Sequence, residues 1–180
     1  MLCRKTLATD LAVMYLTVAS GATLQYLSMD DMIAKSTAIV RGRVGASSVS
    51  MDGPAGRGTI YTHYSVQVLE VLKGAAGGSV DVAVPGGALR NFRQTFAGAP
   101  TLRAGNEYVF FLWTSRTGLT QIIGLSQGLF TIQSDSGGKV VASRAASGEP
   151  MIGPNGGLIS DQPRSIPLDE LRTRIKGGAK

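Results

Sequence analysis

Residues 60–72 read Ile60-Tyr61-Thr62-His63-Tyr64-Ser65-Val66-Gln67-Val68-Leu69-Glu70-Val71-Leu72, a long run of residues that favour strands. Tyr64, Val66 and Val68 fall on one face; Tyr61, His63, Ser65 and Gln67 fall on the other. After Val68 the apolar phase slips by one residue, to Leu69 and Val71. Such a slip predicts a β-bulge, which bends a strand and helps a sheet curl toward a barrel.

The surrounding sequence has the same plan. Upstream, Ala38 to Val44 alternates as a strand, with Gly42 marking a bulge or the close approach of another backbone. Asp52-Gly53-Pro54-Ala55-Gly56-Arg57-Gly58 is a turn cluster. Downstream, strands are expected at 80–84, irregularly at 90–96, and at 107–113, 119–123, 129–132 and 140–142. Helices flank them. Ser28 caps a short helix with Asp30 and Asp31 in its first turn and Leu27 and Met32 as a staple. A terminal helix over Pro167 to Lys176 carries an apolar stripe of Leu168, Leu171 and Ile175. The segment 145–165, rich in Gly, Pro and Ser, reads as a long surface loop or linker. The expected architecture is mainly β: a single antiparallel barrel over 23–144 with its N-terminal helix, the 145–165 linker, and a C-terminal helix and tail over 166–180.

Residues 1–22 have the order of a secretory signal: Arg4 and Lys5, an apolar run Leu11 to Val18, then the small residues Ser20-Gly21-Ala22. The run is shorter than the roughly 20 residues a membrane span needs, so no span is expected after cleavage. Asp10, just before the run, keeps open the alternative of an amphipathic helix that stays attached. Cleavage after Ala22 starts the chain at Thr23, outside the cytoplasm, secreted or periplasmic. It also removes Cys3, the single cysteine, and lowers the net charge of +6 to +5, since two bases and one acid are lost.

The glycine-rich stretch 84–112 raises the question of a ligand-cradling loop. A phosphate loop requires a set glycine pattern leading through Lys-Ser/Thr into a helix, and a dinucleotide loop requires G-x-G-x-x-G before a helix. The residues after Gly86-Gly87 are strand-like, so these glycines serve turns and bulges.

In order along the chain come Ser36-Thr37-Ala38-Ile39-Val40-Arg41-Gly42-Arg43-Val44, then Val66-x-Val68-Leu69-Glu70-Val71-Leu72-Lys73-Gly74, then Gly98-Ala99-Pro100 and Leu102-x-x-Gly105-x-x-Tyr108-x-x-Phe111-Leu112. This pattern resembles a set of uncharacterised exported bacterial proteins. More distantly it is similar to the barrel of tissue inhibitors of metalloproteinases and netrin-like domains. The resemblance spans about 36–132 and implies an OB-type barrel. The inhibitors of that group reach a protease's zinc through an N-terminal cysteine. Here Thr23 stands at the expected terminus, so that mechanism does not carry over.

Chemistry is sparse. One histidine, His63, and no cysteine after Cys3 disfavour a zinc site. No G-x-S-x-G elbow accompanies His63. No catalytic set, metal or cofactor is expected. Trp113 reads first as a packing residue and second as a ligand platform. The candidate binding face is Arg41, Arg43, Tyr61, His63, Arg90 and Arg93, by analogy with OB barrels that bind through a sheet face. The expected function is that of an exported non-catalytic binding protein of unknown ligand, with another exported protein or an anionic glycan as the candidate partner. The alternatives are an inhibitor or accessory of a secreted hydrolase and, for a chain kept in the cytoplasm, a nucleic-acid-binding barrel. Few aromatics interleave with the arginines, which disfavours the last.

Overall fold

The structure, a computed structural model, describes residues 23–52 and 58–178. The expected signal segment, Cys3, and most of the 52–58 turn cluster lie outside the described residues. In chain order the elements are β1 (Leu24–Gln25), α1 (Met29–Lys35), β2 (Ala38–Asp52), β3 (Thr59–Lys73), β4 (Ser79–Pro85), β5 (Gly87–Leu89), β6 (Phe92–Gln94), β7 (Glu107–Thr114), β8 (Thr120–Ile122), a 3-10 turn (Leu125–Gly128), β9 (Leu129–Ser134), β10 (Val140–Arg144), β11 (Met151–Ile152), β12 (Leu158–Ile159), β13 (Arg164–Pro167) and α2 (Leu168–Gly178). The protein is mainly β. Its principal sheet is antiparallel, in the order β13-β10-β9-β7-β2-β3-β4, with β8 also on β7. Among the described residues no ladder joins the two ends of this path, so the sheet is open in its hydrogen bonding.

The β2–β3 ladder is bent at three places. Gly42 pairs with Val68 and Arg41 with Glu70, leaving Leu69 unpaired at the expected slip. Further register shifts fall between Ile39 and Val40 and between Val44 and Ser47. The slip does not turn the apolar face inward, however. Leu69 and Val71 are exposed, while Val66 is buried.

β7 is buried on both sides, which is why Tyr108-Val109-Phe110-Phe111-Leu112 reads as an unbroken apolar run. Val109 and Phe111 pack with α1, α2 and Phe130. Tyr108, Phe110 and Leu112 face the hollow of the bent sheet, with Val40, Val66, Val82 and Leu102.

The helices form as the sequence predicts. The Ser28 hydroxyl accepts from Asp31 N–H at 3.0 Å, and the Asp31 carboxylate accepts from Ser28 N–H at 3.1 Å, a capping box. At the other end of α1, Lys73 Nζ donates to the carbonyls of Ile33, Ala34 and Ser36, placing a cation at the negative pole of the helix. Leu168, Leu171 and Ile175 of α2 are buried, and Arg172 clamps Glu70 of β3 in a bidentate pair at 2.9 and 2.7 Å.

The 145–165 segment is not one loop. It contains β11 and β12, and β11 pairs in parallel with β1. Met151 and Asp161 are buried within it. Two-residue strands are too short to display a period in sequence. No helix among the described residues is long and apolar enough to cross a membrane.

Gly42 has no room for a side chain: a Cβ there would lie 2.5 Å from Val66 Cγ1 and 2.9 Å from the Gln67 carbonyl oxygen. Gly42→Ala is therefore expected to destabilise the protein by about 1–3 kcal/mol, as overpacking does, read as a lower denaturant midpoint with an unchanged slope.

Candidate functional site

The pleat divides the six residues expected to form one face. Arg43 pairs with Gln67, and Tyr61 and His63 share the face of Gln67 by alternation along β3. Arg41 and Arg43 both reach Glu107 of β7, each at 2.6 Å. Hydrogen bonds from Arg41 and then Arg43 hold the Glu107 carboxyl below its usual range, so much of this positive charge is already matched. Arg90 and Arg93 lie elsewhere. They belong to the β5–β6 hairpin, with Arg90 at φ 53° in its turn. That hairpin folds over the other side of β3: a Cβ on Gly87 would meet the side chains of Thr62, Ile60 and Val49. Gln94 fixes it there, accepting from Ile60 N–H at 2.7 Å and donating to the Gly58 carbonyl at 3.0 Å. The candidate face therefore reduces to Arg41, Arg43, Tyr61 and His63.

On that face the sheet assembles a cluster not visible in the sequence. His63 Nδ1 lies 2.7 Å from Asp81 Oδ2, and His63 Nε2 lies 2.9 Å from Ser50 Oγ. Ser48, not Ser50, pairs directly with His63, and Ser65, not His63, pairs directly with Asp81. Both partners reach the imidazole diagonally across the ladders. Only the register, set by the bulge between Val44 and Ser47, brings Ser50 within reach. The distances are those of a serine–histidine–aspartate relay. The setting is open: the Asp81 side chain is 63% exposed. Water there weakens the electrostatic support that such a relay draws from a closed, low-dielectric site.

A groove lies on another side of the molecule. Leu24, Leu27, Trp113, Ile122, Ile123 and Leu125 line a mainly apolar cavity of about 410 Å³, with Lys35 and Gln121 as polar points. Trp113 is 44% exposed, far more than a packing residue at the end of a buried strand requires. The groove is held by Gln127, fully buried, whose side chain accepts from Leu27 N–H at 2.8 Å and donates to the Gln25 carbonyl at 2.9 Å. These two bonds tie the first strand to the 3-10 turn and fix the groove's two walls.

A second polar centre is structural. Arg144 and Asp161 form a buried bidentate ion pair, with side chains 3% and 0% exposed. Burial alone would raise the Asp161 carboxyl; hydrogen bonds from Arg144 and from the Ser147 backbone outweigh it and hold the group below its ordinary value. The partners are 17 positions apart in the chain, and no sequence period links them.

No family model matches this chain, and comparisons with curated proteins and with solved structures return no match. Among the described residues no group of three or more His, Cys, Asp or Glu is placed to hold a metal ion.

Asp161→Asn leaves Arg144 as a buried, uncompensated charge, and is expected to cost about 3–5 kcal/mol in chemical denaturation. The pH dependence has a definite sign. A carboxyl whose folded pKa is depressed contributes stability above its unfolded pKa, about 3.9, and that contribution is lost as pH falls through the folded value. The wild type should therefore lose stability below about pH 4 more steeply than the Asn variant.

Proposed function

We propose that this chain is an exported, non-catalytic binding protein on an OB-type barrel, distantly related to tissue inhibitors of metalloproteinases and netrin-like domains, and that the Trp113 groove receives an apolar group of an exported partner protein. The barrel reading draws support from the strand order β4-β3-β2-β7-β8 and from the position of β8 beside β4, where such a barrel closes. Export rests on the order of residues 1–22: a basic start, a short apolar run and small residues at 20–22.

The observation that carries the binding reading is the groove itself. Its volume lies within the range of about 300–1,000 Å³ typical of ligand sites, and it is apolar with few polar points. A half-exposed tryptophan on its rim is the residue type that dominates binding energy at protein interfaces. The lining favours an aliphatic or aromatic side chain over a sugar, whose hydroxyls would meet Leu24, Leu27 and Ile123 without partners.

Trp113 is the single tryptophan of the sequence, so the groove reports on itself. Titration with the apolar dye 8-anilinonaphthalene-1-sulfonate should quench Trp113 emission saturably. Leu24→Asp should weaken this about tenfold, and Trp113→Ala should remove the enhanced dye fluorescence. Dye binding unchanged in both variants would overturn the groove as a binding site.

The Ser50–His63–Asp81 geometry favours a second reading, a secreted hydrolase. In that reading Ser50 Oγ attacks an ester carbonyl carbon while its proton passes to His63 Nε2, and the departing alkoxide then takes that proton. A fluorophosphonate probe separates the two. The binding reading predicts no adduct; a mass increment on Ser50 that disappears in His63→Ala would establish the hydrolase.

A further inference from the structure

We propose that a second cleft, between β7, the start of β9, the end of β10 and the 101–106 turn, binds a small oxyanion, a carboxylate or sulfate of the kind an acidic glycan carries. It holds about 400 Å³, is separate from the Trp113 groove, and does not depend on the role given to that groove.

Most of the residues that line this cleft carry side-chain donors. Arg103, Asn106, Tyr108, Ser126, Thr131 and Arg144 line it, and none of its lining residues is a carboxylate. The Ser126 hydroxyl is buried without a partner. Arg144 spends both terminal nitrogens, on Asp161 and on the Ala145 carbonyl, while its Nε–H is buried and unpartnered. Tyr108 Oη accepts from the Arg103 backbone N–H at 3.3 Å and makes no other hydrogen bond among the described residues. Its own proton is therefore free to be donated.

Charge adds to this. Asp161 offsets Arg144 from behind, but Arg103 makes no ion pair among the described residues. The cleft thus offers the Arg103 guanidinium and the Tyr108 hydroxyl as unspent donors, and Arg103 gives it one uncompensated positive charge. A cation would find no carboxylate there, and a neutral ligand would leave the charge unmatched. An oxyanion, which only accepts, uses both properties.

The cleft is built, not incidental. Tyr108 is 5% exposed and stacks edge-on against Phe110 at 5.7 Å, so its hydroxyl is held by the core. Ser126 is held by its own N–H, which donates to the Gly98 carbonyl at 3.1 Å. Gly98 and Gly105, at φ of 75° and 84°, bracket the turn that carries Thr101 and Arg103 to the cleft. This gives the glycine-rich stretch a part in a site, through the path of its backbone rather than as a phosphate-cradling loop.

The test uses the isotope-labelled protein in nuclear magnetic resonance titrations with sodium sulfate and with sodium galacturonate, against sodium chloride at matched ionic strength. The proposal expects saturable shifts at 101–108 and 126–131. It expects about a tenfold loss of affinity in Arg103→Gln, an exposed position that leaves the core intact, and a further loss in Tyr108→Phe. Trp113→Ala should leave the titration unchanged. Galacturonate binding tighter than sulfate identifies a glycan acid as the source; equal affinity identifies the oxyanion alone, and either supports the site. Shifts reproduced by chloride, spread over the surface arginines, or unchanged in Arg103→Gln mean an adventitious ion only, and overturn it.

Discussion

The two-sided burial of β7 is the constraint on which the rest depends. Adjacent phenylalanines point in opposite directions: Phe110 enters the hollow of the bent sheet, and Phe111 meets Phe130 and the two helices. A strand with apolar residues on both faces must be covered on both, and each cover has its own source. The helices supply Met32, Ile33, Leu171 and Ile175 on one side. On the other, β2, β3 and β4 must curl back, and the register shifts of the β2–β3 ladder permit that curvature. Arg172 on Glu70 and Lys73 on the end of α1 then fasten the helical cover to the curled one.

This arrangement leaves three surface regions outside the two cores, each with a different chemical character. The outer face of β2, β3, β4 and β7 holds the Arg41 and Arg43 pairs with Glu107 and the His63 cluster, whose Asp81 is open to solvent. The Trp113 groove is apolar and walled by elements that Gln127 ties together. The cleft beside Arg103 is rich in donors. The two clefts are concave, as ligand sites commonly are, whereas the outer face is a sheet surface.

Elements whose signal is local were legible in the sequence. Ser28, with Asp30 and Asp31 in the turn that follows, marks the start of α1, and the spacing of Leu168, Leu171 and Ile175 marks the buried stripe of α2. The phase slip at Leu69 located a bulge, although not the burial around it. Contacts that depend on register were not legible. Ser50, His63 and Asp81 come together across three strands, and a one-residue change in the bulge at 45–46 would send Ser50 to the opposite face. Arg144 and Asp161 meet because β11 and β12 fold the intervening chain back, through strands too short to carry a period. The analogy with OB barrels groups Arg90 and Arg93 with Tyr61 and His63, but the hairpin that carries them lies on the other side of the sheet.

The proposed export requires that residues 1–22 act as a cleaved signal. The most direct test of that claim is the intact mass and N-terminal sequence of the protein recovered from separated fractions of its native host. Export predicts a chain beginning near Thr23 in the non-cytoplasmic fraction. A chain that retains Met1 or Leu2 in the cytoplasm would contradict it, restore Cys3 to the working protein, and make nucleic-acid binding the reading to test next.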